Sequence, residues 1–211
     1  MNKVVQHEEH SSNQTVNIGL DLSTTSDEEL WEQFTTGHKA PFEQLYFRYV
    51  NVLYDYGAKI SRDKQLAEDC VQDLFTYFWQ RQHELPLVKA VKPYLLVSLK
   101  RRVHHKLNGK QSDALNSYEP LDAEAHGFVP TAAENPDDTI YIKEAFEQLS
   151  EKQKEVLYLR FYNKLSFEEV AEVMGVQVKA IYKLSARAIS VLKHSIAHPV
   201  FQWILLAILA S

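Results

Sequence analysis

A single cysteine, Cys70, stands in the whole chain. No intrachain disulfide is possible, so a reducing compartment is expected. Its position on the apolar stripe of a helix predicts a buried core thiol rather than a nucleophile. Glycine and proline are scarce, 6 and 7 in 211 residues, which disfavours an all-β fold and favours helices. The stretch Met1 to Ser26 is polar and holds no apolar run ahead of a cleavage site, so no export signal is expected. A bilayer-spanning helix needs about 20 apolar residues. The most apolar stretch, VFQWILLAILAS after Pro199, is too short, so no membrane-spanning segment is expected. No nucleophile–base pair, metal-ligand spacing or phosphate-binding glycine loop is visible. The expectation is therefore no enzyme, no catalytic residue, no metal and no cofactor. His104 and His105 are adjacent, face different sides of a helix and make a poor metal site.

What is present is helical periodicity. Met1 to Ser26, rich in Ser, Thr, Asn and His, is expected to lack fixed structure. Asp27 begins a helical pattern through Leu30, Trp31 and Phe34, which Gly37 breaks. A longer helix runs from about Pro41, with Phe42, Leu45, Tyr46, Tyr49, Leu53 and Tyr56 on its buried side. Asp63 is placed to cap the next, which runs to about Gln80 on an inner stripe of Leu66, Ala67, Cys70, Val71, Leu74 and Phe78. Its outer stripe of Asp69, Gln72, Asp73 and Thr76 is either a solvated face or a docking face for a basic or polar partner helix.

Arg81 to Pro93 reads as a loop, with room for a turn of helix, and Tyr94 opens a further helix. Leu95, Leu96, Leu99, Val103 and Leu107 point inward. Tyr94, Ser98, Arg101, Arg102 and His105 point away or lie at the edge, with Lys100 and Lys106 adding charge. Cations that follow phosphates beside an aromatic that stacks on an unpaired base suit melted nucleic acid. A merely solubilising basic face is the other reading. From Gly109 to Thr139 the chain turns acidic, with Pro120, Pro130 and Pro136, and reads as a linker. It is a simple tether or the occupant of a basic channel on a partner.

A second helical region starts near Asp138. Ser150 caps a helix with Gln153 in the capping-box position, and Val156, Leu157 and Phe161 supply its core side. The stretch LSFEEVAEVMGVQVKAIYKLSARAISVL, Leu165 to Leu192, then reads as helix, tight turn, helix. Ser166 and Glu169 form a capping box, and Gly175 ends the first helix. The second helix has an apolar stripe of Ile181, Leu184, Ala188 and Leu192. Its opposite face carries Lys179, Tyr182, Lys183 and Ala186, with Arg187 on the flank. This pattern fits a helix-turn-helix that sets one helix into the DNA major groove. The net charge is −5. A protein that grips DNA alone carries a basic footprint, so local basic faces on an acidic whole imply a partner that helps hold the nucleic acid.

In this order the residues resemble the extracytoplasmic-function sigma factors, the small two-domain bacterial type. The family pattern appears as Asp27-Glu28-Glu29-Leu30, Gly37 with Pro41-Phe42 and Leu45-Tyr46, and Ala67-Glu68-Asp69 with Gln72 and Phe75. Tyr94-Leu95 through Arg102, Leu149 to Val156, Leu165 to Ala171, and Arg187-Ala188 with Leu192 complete it. The resemblance implies an all-α fold of two small helical domains joined by an acidic linker, the second holding the helix-turn-helix. The expected ranges are 1–26 disordered, 27–108 polymerase-binding and minus-ten melting, 109–138 linker, 139–197 minus-thirty-five binding, and 198–211 apolar tail.

The resemblance also implies partners: core RNA polymerase, met at its largest-subunit clamp and its flap, promoter DNA, and an anti-sigma factor, all in the cytoplasm. Asp69, Gln72 and Asp73 would dock on the clamp. The loop Arg81 to Pro93 and the helix bearing Tyr94, Ser98, Arg101, Arg102 and His105 would open the minus-ten element. Gln177, Lys179, Tyr182, Lys183 and Arg187 would read the minus-thirty-five element. Arg101 stands where the family usually has Asn, and Gln177, Ala180 and Leu184 replace common hydroxyl or cationic residues. Weak minus-thirty-five binding alone is therefore expected. The tail is expected to pack on the second domain or its interface with the first, or else to serve as a clasp or anti-sigma site. A free-standing helix-turn-helix regulator is the competing account; it leaves the acidic and basic helices unexplained.

Overall fold

The computed structural model describes residues 24–108 and 144–195. Residues 1–23, the acidic segment 109–138 and the tail 198–211 lie outside the described residues, as do the readings made of them. Every regular element among the described residues is helical, as expected. The first set is α1 (Asp27–Thr35), α2 (Lys39–Ser61), α3 (Lys64–Gln80) and α4 (Val91–Leu107). The second is α5 (Glu151–Leu157), α6 (Phe167–Met174) and α7 (Val178–Ser195), preceded by helical residues 144–147. No described helix is long and apolar enough to cross a membrane.

Local chemistry sets most of the ends. Ser26 and Glu29 form a capping box on α1, so Ser26 belongs to the fold and not to an unstructured leader. Asp63 caps α3 by accepting from the backbone of Gln65 and Leu66. Ser150 with Gln153 and Ser166 with Glu169 close the boxes on α5 and α6. Gly175 ends α6 at φ 65°, the left-handed region that costs glycine nothing. Truncating Ser166 to alanine removes the acceptor for the Glu169 amide, 3.1 Å away. About 1 kcal/mol of stability should go with it, read as a lower thermal midpoint, because one amide of the first turn loses its partner.

The first helices close on an aromatic centre. Trp31 meets Phe34, Phe78 and Tyr94 edge-on, at centroid distances of 5.7, 5.5 and 5.3 Å. Asp27 accepts from Arg48 and Tyr49, fixing α1 on α2. Gly57 lets α2 approach closely: a Cβ there would lie 3.2 Å from the Ala67 Cβ and 3.4 Å from a Leu99 methyl. In the second set, Val156, Leu159, Leu165, Val170 and Ile181 are buried together. Ala188 and Leu192 of α7 pack with Ala145, Leu149 and Leu157. Helix α4 lies against α6, so the buried residues run without interruption from one set of helices into the other.

Four details depart from the periodicity. Helix α4 begins at Val91, because Pro93 falls within its first turn, where no donor is required. Leu107 is 50% exposed, since the core contacts of α4 end before its final turn. Tyr46 is 37% exposed although it was expected inside; together with Phe47 it forms an edge at the helix surface. Helix α5 runs into a wider turn at Tyr158–Tyr162, where the Asn163 N–H donates to the Tyr158 carbonyl five residues back.

Candidate nucleic-acid interface

The outward side of α7 is set by what its inward side buries. Ile181, Ser185, Ala188 and Leu192 are buried, and Leu184 is half-buried. Gln177, Lys179, Tyr182, Lys183 and Arg187 are all exposed. They bring three cations, an amide and a phenol to one side of the helix, groups that suit phosphates and base edges. One support was not legible in the sequence. The Tyr182 ring stacks on Phe167 of α6 at 4.2 Å. The Arg160 guanidinium covers the Phe167 ring at 5.0 Å and donates to the Leu165 carbonyl at 3.1 Å. Tyr182 is thus held by a tier of side chains from the turn before α6 and from α6 itself.

The residues expected on α4 are sorted by depth. Arg101, Arg102, His105 and Tyr94 are half-buried. Tyr94 stacks on Phe78 at 5.9 Å as well as meeting Trp31, so only part of its ring is accessible. Burial pushes its phenol above the ordinary value, while Arg101 opposes the shift. Arg102 lies over the Tyr77 ring at 5.6 Å. Ser98, expected at the edge of this face, is instead 5% exposed. One turn beyond Tyr94, it is enclosed by the packed side of α4 and offers almost no surface to DNA.

The loop before α4 is anchored at two points. Trp31 Nε1–H donates to the Pro86 carbonyl at 2.9 Å. His83 Nδ1 lies 3.1 Å from the Thr35 carbonyl. Between these fixed points and α4 stands the exposed side chain of Leu87.

On α3, Gln72 and Asp73 are exposed and Asp69 is half-buried. Gln65 donates to Asp69 at 3.1 Å, and Lys106 of α4 pairs with Asp73 at 2.8 Å. The stripe is therefore partly engaged within the fold. Beside it, α2 and α3 enclose a groove of about 770 Å³ lined by Phe42, Tyr46, Tyr54, Gln72, Phe75 and Trp79. Tyr46 and Trp79, which line it with Gln72, are exposed, as is Phe47 beside Tyr46. The sequence reading assigned these aromatics to the core or did not single them out. Aromatic periodicity alone does not separate a core ring from a rim ring.

Residues 145–194 match the family described as Sigma-70, region 4. The chain is 24% identical over 144 residues to the ECF RNA polymerase sigma factor SigM of Bacillus subtilis (strain 168), covering 64% of this chain and 82% of that protein. It is 21% identical over 156 residues to the ECF RNA polymerase sigma factor SigK of Mycobacterium ulcerans (strain Agy99), covering 72% and 83%. Among solved structures, CnrH in complex with the cytosolic domain of CnrY shares the fold at a TM-score of 0.54 and 19% identity, over 80% of this chain and 95% of that one. The sigma factor RpoE of Bartonella quintana, in complex with the anti-sigma factor NepR, does so at 0.52 and 21%, over 74% and 97%.

Proposed function

We infer how this chain, a sigma factor of the extracytoplasmic-function family, divides its work between polymerase and promoter. A sigma factor binds core RNA polymerase, recognises promoter DNA and initiates transcription. Our reading gives the chain no catalysis of its own: it positions a polymerase and opens a duplex. We place that work in the cytoplasm, where polymerase and promoter are. Helix α7 reads the minus-thirty-five element with Gln177, Lys179, Tyr182, Lys183 and Arg187. Helix α4, with Tyr94, Arg101, Arg102 and His105, holds the opened minus-ten element, and the loop before it takes an extruded base. Extrusion costs a few kcal/mol of lost stacking, which polymerase and pocket contacts offset together. The observation that carries this reading is the exposed row on α7 opposite a side that buries Ile181, Ala188 and Leu192.

Asp69, Gln72 and Asp73, with the aromatic rim of Tyr46, Phe47 and Trp79, form the docking face for the polymerase clamp in this reading. The Asp69→Arg change, at a half-buried position beside that rim, should weaken core binding about 10-fold, or ~1.4 kcal/mol. Titration of labelled protein against core measures it, and unchanged affinity would remove Asp69 from the face. The second set of helices touches the polymerase flap. An anti-sigma factor is proposed as a further partner, since both solved relatives hold a bound protein.

Permanganate oxidation of unpaired thymines tests promoter opening. A promoter fragment with core polymerase should become reactive near minus ten only when this protein is added. Reactivity that is absent, or independent of the protein, would remove the melting role.

A further inference from the structure

The two sets of helices are held together by charge as well as by apolar packing. Glu155 of α5 is 1% exposed. Its Oε1 accepts from Lys100 Nζ of α4 at 2.8 Å and from the Tyr56 hydroxyl of α2 at 2.7 Å. Burial, and then the Glu155 charge, push the Tyr56 phenol well above its ordinary value, so it remains a donor at neutral pH. One end of α4 repeats the arrangement: Lys92 Nζ donates to the Asn163 carbonyl at 2.5 Å. Arg62 and Glu151 face each other at 3.8 Å near the end of α2. In each case a cation of the first set meets an oxygen of the second.

Such an arrangement is a poor way to gain stability. A buried ion pair loses hydration that its attraction barely recovers, and an apolar replacement often holds as well. A charged contact differs from an apolar one in what it can become when parted. Lys100 precedes Arg101 directly, and successive helix residues turn by about 100°. The flank covered by the second set therefore borders the flank that carries Tyr94, Arg101 and His105. Uncovered, α4 would add Lys100 to the edge of that cationic flank. A phosphate oxygen and a Glu155 oxygen make the same kind of charge-assisted bond to an ammonium group.

We propose that Lys100 is a further promoter-phosphate contact, held in the closed chain on Glu155, with the Glu155 carboxylate standing in the place of a phosphate. The proposal rests on the reading of α4 as the minus-ten helix. Closure and promoter engagement then exclude one another, and Lys100 exchanges one oxygen for another as the two sets of helices part. A ligand that binds only the open form draws the chain open by mass action.

The test compares holoenzymes on a promoter fragment with a pre-opened minus-ten region, over a range of salt. E155Q keeps the shape and removes the charge. The pair E155Q and E155Q/K100M then differ only at Lys100, and neither leaves a buried carboxylate unpaired. The double variant should bind about 10-fold more weakly than E155Q, with a salt slope lower by about 1. In the polymerase-free protein, fluorophores on Gln44 and Lys152 should report a longer separation for E155Q than for the natural chain. A merely structural role for Lys100 would not move the salt slope, so an unchanged slope overturns the proposal. Arg101→Ala separates this failure from a deeper one. Loss with Arg101→Ala but none with Lys100 overturns only the present proposal. No loss with either overturns the assignment of α4 and the proposal with it.

Discussion

Replacing Lys179, Lys183 and Arg187 together with alanine is expected to weaken binding of the holoenzyme to a duplex promoter fragment about 100-fold or more near physiological salt. The three cations are exposed along one side of α7, and none supports its core. In the proposed reading each neutralises about one phosphate or reads a base edge, and each phosphate contact contributes about 0.9 to the salt slope. Removing all three should therefore lower the slope by up to about 3. Stability should move by no more than about 0.5 kcal/mol per site, as for surface substitutions away from packed features. Tyr182→Phe keeps the ring on Phe167 and should cost far less. Fluorescence anisotropy across a salt series measures affinity and slope together. A large loss of affinity with an unchanged slope would mean that base contacts, not phosphates, carry this side of α7.

Trp31→Ala is expected to cost about 3–5 kcal/mol of stability. The ring is fully enclosed and meets three other aromatic rings, so its loss leaves a cavity that the surrounding helices cannot readily fill. A second effect accompanies the first. The indole N–H is the donor to Pro86, so the substitution removes one of the two anchors of the loop that leads into α4. Trp31→Phe separates the two: it keeps most of the packing and loses the hydrogen bond, at about 1 kcal/mol or somewhat more. Urea denaturation should rank the natural chain, then Phe, then Ala. If the loop takes the extruded base, Trp31→Phe should also slow promoter opening while the fold stays intact. Equal opening rates for Phe and the natural chain would detach the loop anchor from function.

The helix ends were legible because capping is a local rule. Ser150 with Gln153, Ser166 with Glu169, Asp63 and Gly175 act within a few residues of themselves, and each stands as its spacing implies. The outward row on α7 was legible for the same kind of reason, a helical period with apolar and polar sides. Ser98 was not, because periodicity gives a direction around a helix and not the depth of what lies there. The aromatic rim of Tyr46, Phe47 and Trp79 escaped for a related reason: a ring looks the same in sequence whether it lies in a core or at its edge. Glu155 could not be found at all from spacing. Its partners Lys100 and Tyr56 lie 55 and 99 residues away, and only the packing of the two sets of helices brings them together. Likewise, nothing in the order of Arg160, Phe167 and Tyr182 announces that they stack.

Reconstituted transcription tests the central claim most directly. The protein is added to sigma-free core polymerase with a library of promoter fragments, and the transcript starts are sequenced. The account predicts defined starts that require this protein, share two upstream elements, and depend on Lys183 and Arg187 for the farther one. Core polymerase that neither binds the protein nor gains defined starts would contradict it.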